Sequence, residues 1–310
     1  FFYLTLNKKL PKLLYKPYYI LNSMKCAKAS FKQSENVKNK IVKLGIFDNN
    51  YKIFKDKNYV YFPVTKIVKG LDIVEKKLKK RENRLTLKEL LKNKLSEKEF
   101  ELLAKAYDVI GGIAVLEIEE ELLKKKKIIA EVVSKSNKNV KTVVRKVGEH
   151  KGEYRLQDYE FLAGKKTFET VHKESGVSLK LDIRKTYYSP RSSGERLRIS
   201  KLVNKGENIL VMFSGIGVYP LIISKHSLAN EVYGVEINPD ACKFAEENIK
   251  LNKIKNVKSI CGDVNKVLPK LNKKFDRIIM PLPKTSLGFL DLALRFLNKN
   301  GVIHLYYFST

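Results

Sequence analysis

Apolar and polar positions alternate in three different ways along this chain, and the change of pattern divides it. From about residue 184 onward, short runs rich in apolar residues recur at 209–213, 232–235, 257–261, 277–280 and 302–307, separated by segments of helical length. Mainly apolar runs of four to six residues bounded in this way predict the buried strands of a mostly parallel sheet. Residues 85–183 predict a mixed α+β unit. There Ser96 and Glu99 have the spacing of a capping box, with Phe100, Leu103 and Ala104 continuing the helical face. Strand material follows at 109–118, interrupted by Gly111-Gly112, then a helix over 119–134 with Lys124 to Lys127 on its surface and a strand at 142–144. Segments 167–174 and 177–182 flank Ser175-Gly176, a two-residue hairpin signal.

The first third predicts a small α/β module over 24–65. Ser34 is placed to cap a helix with Val37, Ile41 and Leu44 on one face, and Gly45 to end it. Segments 51–54 and 59–64 form a hairpin pattern around Asp56-Lys57-Asn58. Residues 66–84 are lysine-rich and poorly patterned, with lysines at 76, 77, 79 and 80, and are assigned to a linker. Residues 1–23 are basic and aromatic without the apolar core or cleavage site of a signal peptide, so they are set apart as an extension, with Met24 as a candidate start.

Composition adds a partner. The 310 residues exceed what one core usually organises. Lysine and arginine total 62 against 33 acids, a net charge of +29. An excess of that size suits a polyanion, whose counterions are released on contact; a lysine-biased proteome from a hot or saline habitat produces the same excess. Cys26, Cys242 and Cys261 are too few and too scattered for a disulfide framework or a zinc site, which suits a reducing cytoplasm. The four histidines are equally dispersed, and none is assigned to a metal. No stretch reaches the roughly 20 apolar residues of a membrane span.

Candidate chemistry sits at the ends of the predicted strands. The run N-I-L-V-M-F-S-G-I-G-V-Y-P at 208–220 delivers a strand into a turn at Gly215 and Gly217, where backbone can approach a nucleotide. By itself Gly-x-Gly also fits an ordinary strand-to-helix turn. Glu236 ends the next strand about 20 residues on, where a carboxylate meets a ribose diol. The third and fourth strands end at Gly262-Asp263 and Pro281-Leu282. Position 220 is proline rather than the third glycine of a dinucleotide fingerprint, which favours S-adenosylmethionine over NAD. Two polar segments complete the set: Gly152-Glu153-Tyr154-Arg155 and the stretch 187–196, Y-Y-S-P-R-S-S-G-E-R. Aromatics beside arginines suit a flipped-out base; a charged connecting loop is the alternative.

At these strings, together with H-K-E-S-G, M-F-S-G-I-G, E-I-N-P and I-I-M-P-L-P-K, the chain resembles the archaeal and eukaryotic tRNA (guanine-37-N1)-methyltransferases from about Met24 to its end. The resemblance implies an α/β architecture whose C-terminal part, 184–310, is a Rossmann-like class I methyltransferase domain. It implies S-adenosylmethionine as cofactor, and tRNA as the partner of a cytoplasmic monomer. It also implies that the N-terminal module touches the outer corner of the tRNA. By the same resemblance Glu195 matches the general base for guanine N1, Arg155 the group facing O6, and Tyr187 the residue that positions the base. Arg196, Glu236, Ile237, Asp263 and Val264 match cofactor contacts, joined by Phe213, Gly215 and Gly217 of the turn and by Pro281.

The chain departs from the family pattern at Val211, where an aspartate is usual, at Pro281, where an asparagine is usual, and at Thr310, where the family continues; the last predicts an incomplete C-terminus. These departures keep alternatives open: transfer of methyl or aminocarboxypropyl to a tricyclic wyosine-type guanosine at position 37, or a catalytically silent tRNA binder. An NAD-dependent oxidoreductase explains neither the charge nor the 187–196 segment.

Overall fold

The computed structural model describes residues 21–81, 87–104, 106–282 and 286–306. The expectations for residues 1–20, 82–84 and 307–310 and for Pro283-Lys284 lie outside these. The chain forms two compact units, Phe1–Arg84 and Leu85–Thr310.

In the first unit, strand β1 (Leu21–Ser30) is followed by helix α1 (Ser34–Lys43), β2 (Phe54–Lys55), β3 (Tyr59–Pro63) and β4 (Ile73–Lys79). They build an antiparallel sheet in the order β2-β3-β1-β4. Ile41 is fully buried on α1, and Gly45 ends the helix at φ 65°, donating to Val42 O. Ser34 is not the cap, because Gln33 holds that position and the Ser34 hydroxyl donates to Phe31 O at 2.9 Å.

Two further expectations change. Residues 21–23 belong to β1 rather than to an extension, and seven residues of the expected linker form β4, paired with β1 from Leu21↔Lys79 to Ala27↔Ile73. β4 is an edge strand carrying the lysines that blunt such edges. Leu78 is buried beneath it, and Lys76 sits 4.3 Å from the Tyr61 ring centroid.

The second unit opens with α2 (Leu87–Leu91) and α3 (Glu97–Glu101). The Ser96–Glu99 box is formed: Ser96 N donates to Glu99 Oε2 at 2.8 Å, and Glu99 N to Ser96 Oγ at 3.4 Å. Strands β5 (Asp108–Ile110) and β6 (Ile113–Leu116), a 3₁₀ turn at Glu120–Lys125, helix α4 (Lys126–Ser136), β7 (Thr142–Lys151) and β8 (Leu156–Gly164) complete a sheet in the order β5-β6-β7-β8. Its apolar face packs on α4 through Ile129, Ala130 and Val133. The hairpin β9 (Glu169–Glu174) and β10 (Val177–Asp182) turns at Ser175 (φ 46°) and Gly176 (φ 77°), two consecutive positive φ values as a type I′ turn requires.

After α5 (Ser193–Lys201), strands and helices alternate: β11 (Asn208–Met212), α6 (Val218–His226), β12 (Glu231–Glu236), α7 (Pro239–Leu251), β13 (Val257–Cys261), α8 (Val264–Leu271), β14 (Phe275–Met280), α9 (Leu290–Arg295) and β15 (Leu297–Leu305). All pairings are parallel, in the order β13-β12-β11-β14-β15. Ile209 to Met212 of β11 are fully buried because helices cover both faces. The strand order reverses at β11, so the carboxyl ends of β11, β12 and β14 border the crevice where such sheets hold ligands. Pro220 falls in the first turn of α6, where its missing N–H has no helical acceptor to lose.

Side-chain amides seat the β9–β10 hairpin on this sheet. On α7, buried Asn248 accepts from Lys180 N at 2.6 Å and donates to Lys180 O and Ile216 O, both at 3.1 Å. One turn later Asn252 accepts from Ser178 N and donates to Ser178 O. Together they act as a strand for the free edge of β10. Asn248→Ala strands buried backbone groups without partners and is expected to lower unfolding free energy by about 2 to 3 kcal/mol. Urea denaturation would measure this, and an unchanged midpoint would refute the bracing role.

The cysteines also correct the sequence reading. Cys242 on α7 and Cys261 at the end of β13 are joined in a disulfide, with Cα atoms 5.5 Å apart, while Cys26 is free and buried. The fold brings together two positions that spacing alone left scattered.

Candidate active site

Glu236 is the hinge of the site. At the carboxyl end of β12, its Oε2 accepts from Gly215 N at 2.7 Å and its Oε1 from Ile237 N at 3.0 Å and Asn238 N at 2.9 Å. The carboxylate thus ties the β11–α6 turn to the β12–α7 turn. Burial pushes its carboxyl above the usual range, against the pull of the three N–H donors. Of the four lone-pair sites on its two oxygens the three N–H groups use three, which leaves one for a ribose hydroxyl.

The turn itself requires unusual backbone: Phe213, Gly215 and Gly217 have φ of 59°, 56° and 82°. Phe213 holds this conformation with its ring edge-on to Phe289 at 4.9 Å. Asn238 caps α7 through Asp240 N and Ala241 N, ahead of Pro239, the arrangement E-I-N-P encodes. Asp263 caps α8 through Asn265 N at 2.9 Å.

These turns open into one cavity of about 1090 Å³ within the second unit, large enough for a nucleoside-sized cofactor together with a base. Its wall includes Phe213, Gly215, Glu236, Ile237, Asp263, Val264 and Pro281, and also Arg155 and Tyr187 from the two polar segments. The Arg155 guanidinium lies over the Tyr187 ring at 4.6 Å from its centroid. Nine of the twelve residues singled out from sequence therefore converge, with the cofactor-type carboxylates and the arginine–tyrosine stack sharing one space.

Three do not line it. Arg196 is buried behind the wall, its Nε and Nη2 each 2.7 Å from Glu174, with Nη2 also donating to Ser189 O. The guanidinium expected to meet the cofactor is here held in an ion pair, off the cavity wall. Gly217 faces α7 instead, where an added Cβ would meet Ala245 at 3.4 Å, so its task is helix packing. Glu195 on α5 has its carboxylate engaged by Arg198 Nε and Nη2, both at 2.7 Å, and by the Tyr306 hydroxyl at 2.6 Å. The Arg198 guanidinium first, and the Tyr306 hydrogen bond with it, hold this carboxyl down at about 2.

Sequence reasoning missed His150 and Phe289 on the wall; neither carries a local signal, since both reach the cavity through strand and helix placement. Among the described residues no group of three or more His, Cys, Asp or Glu could hold a metal ion. No helix among them is long and apolar enough to cross a membrane.

Known proteins match along most of the chain. The tRNA methyltransferase 5 N-terminal domain matches residues 26–72, the TYW2 N-terminal domain residues 87–167, and the TRM5/TYW2 methyltransferase domain residues 170–310. The tRNA (guanine(37)-N(1))-methyltransferase Trm5b of Pyrococcus abyssi is 40% identical over 91% of this chain and 83% of its own. Among solved structures, the complex of aTrm5 and tRNALeu superposes with a TM-score of 0.66 at 33% identity, covering 91% of this chain and 86% of that one. Methanocaldococcus jannaschii Trm5 in complex with adenosine gives 0.60 at 31% identity, covering 91% and 86%. With these matches across its cavity-forming unit and its N-terminal module, this chain belongs to the TRM5/TYW2 methyltransferase family.

Proposed function

We propose that this protein methylates N1 of guanosine 37 in tRNA with S-adenosylmethionine. The observation that carries the reading is the shared cavity, in which the Arg155–Tyr187 stack faces the Glu236 and Asp263 turns. The residues present suit the cofactor: an acceptor at Glu236 for a ribose hydroxyl and at Asp263 for the adenine amino group, with Ile237 and Val264 as apolar cover. S-adenosylmethionine supplies an electrophilic methyl group on a sulfonium sulfur.

The chain's own residues do the rest. Tyr187 offers a stacking face for the extruded guanine. Arg155 donates to O6, where negative charge gathers as N1 loses its proton. Glu195 takes that proton. In this reading the carboxylate exchanges Arg198 and Tyr306 for the N1–H, because in the free protein both partners occupy it. The +29 charge draws the tRNA, and the N-terminal module, whose match covers 26–72, contacts its outer corner. The protein acts as a cytoplasmic monomer.

Transfer of labelled methyl to tRNA transcripts carrying G or A at position 37 tests this directly. Labelling is expected with G alone. Equal labelling of both transcripts, or none with tRNA still bound, would overturn the assignment; none in particular would favour the silent binder.

A further inference from the structure

We infer that His150 is a positioning residue of this cavity, holding the turn that presents Arg155. Arg155 has φ 53°, a left-handed conformation unfavourable for a residue with a β-carbon, so surrounding contacts must maintain it. Two do so. Arg155 N donates to Gly152 O at 3.1 Å, and His150 Nδ1 lies 3.1 Å from Arg155 O. A carbonyl only accepts, so Nδ1 carries the proton and donates. That bond survives whether the imidazole is neutral or charged.

The same ring meets Tyr187. Its centroid is 5.4 Å from the tyrosine's, with planes at 70°, an edge-to-face contact. Tyr187 is thereby fixed by Arg155 over its ring and by His150 beside it. Behind them the strands are braced: Gln157 Nε2 donates to Val147 O at 3.0 Å and Gly148 O at 3.1 Å, across the register irregularity between Val147 and Lys151. The β7–β8 tip is therefore a built presentation device with His150 at its point of contact. That its purpose is methyl transfer rests on the proposed function; that it holds the turn does not.

The test uses the full chain with His150→Ala and His150→Asn, since asparagine can place an N–H near the position of Nδ1. Two readouts are taken: single-turnover methyl transfer, and the rate of tryptic cleavage after Arg155 followed by mass spectrometry. His150→Ala is expected to slow transfer about tenfold or more and to speed cleavage about tenfold. Cofactor affinity and the unfolding midpoint should stay at wild-type values, which a merely structural role would not allow. His150→Asn should recover most of both effects. Wild-type transfer and cleavage in the alanine variant, or an asparagine variant no better than alanine, would overturn the inference. If the wild type itself transfers nothing to G37, the proposed function falls while the cleavage readout still decides the role of His150.

Discussion

Replacing Glu195 by glutamine is expected to slow methyl transfer to G37 by about 10²- to 10⁴-fold, the usual contribution of a general base. Affinity for S-adenosylmethionine should not change, because Glu195 is none of the residues proposed to hold the cofactor. Glutamine keeps the shape and can still accept from Tyr306, so the loss would report the missing base rather than a disturbed α5. A variant with the wild-type rate would remove Glu195 from the chemistry and leave positioning by Arg155 and Tyr187 as the source of rate.

The pH dependence follows from its partners. Its carboxyl is lowered from 4.5 to about 2, so it is ionised above the ordinary value and protonates only as pH falls through about 2. Its contribution to folding, small because solvent screens a partly exposed pair, is fully present above about 4.5 and lost as pH falls toward about 2. Between about pH 5 and 9, transfer should show no acid limb from this group. Arg198→Gln should move such a limb upward, toward the ordinary carboxylate value.

Arg196→Met is expected to destabilise the protein by about 3 to 5 kcal/mol, the range for removing one partner of a buried ion pair. Arg196 and Glu174 are nearly inaccessible, with side-chain exposures of 6% and 3%. Glu174 would keep only its 2.6 Å bond from the Tyr188 hydroxyl, leaving a charge without a counterion. The pair joins β9 to α5, and with it the hairpin to the segment that carries Tyr187 and Glu195. Chemical denaturation measures the loss, and calorimetry with S-adenosylmethionine under conditions where the variant is folded should find affinity little changed. A large loss of affinity with intact stability would instead restore Arg196 to the cofactor. Replacing Glu174 and Arg196 together by apolar residues should recover part of the stability, because the stranded charge is then gone.

What could be read without coordinates has a common physical basis. The runs that became β11 to β14, the Ser96–Glu99 box, the Ser175-Gly176 turn and the Gly215 turn are local signals, written in period, capping chemistry and backbone permissiveness within a few residues. Each appears where its local chemistry places it, and the carboxyl ends of consecutive parallel strands then bring Glu236 and Asp263 to one edge without further information.

The remainder depended on partners far apart in the chain. β4 carries an edge strand's lysines and no alternation clear enough to mark it; its pairing with β1, some fifty residues earlier, makes it a strand. Arg196 looks like any arginine beside a glycine-rich turn until Glu174, 22 residues away, closes on it. Asn248 reads as a polar helix position and becomes a brace for a strand 68 residues distant. Cys242 and Cys261 meet because α7 packs back across β13. Glu195 is held by Tyr306, 111 residues further on. Sequence alone determined which groups were available at the strand ends and in the two polar segments. Tertiary structure decided which charges are buried as pairs and which face the cavity, because that choice depends on burial and on long-range partners, and neither leaves a local pattern.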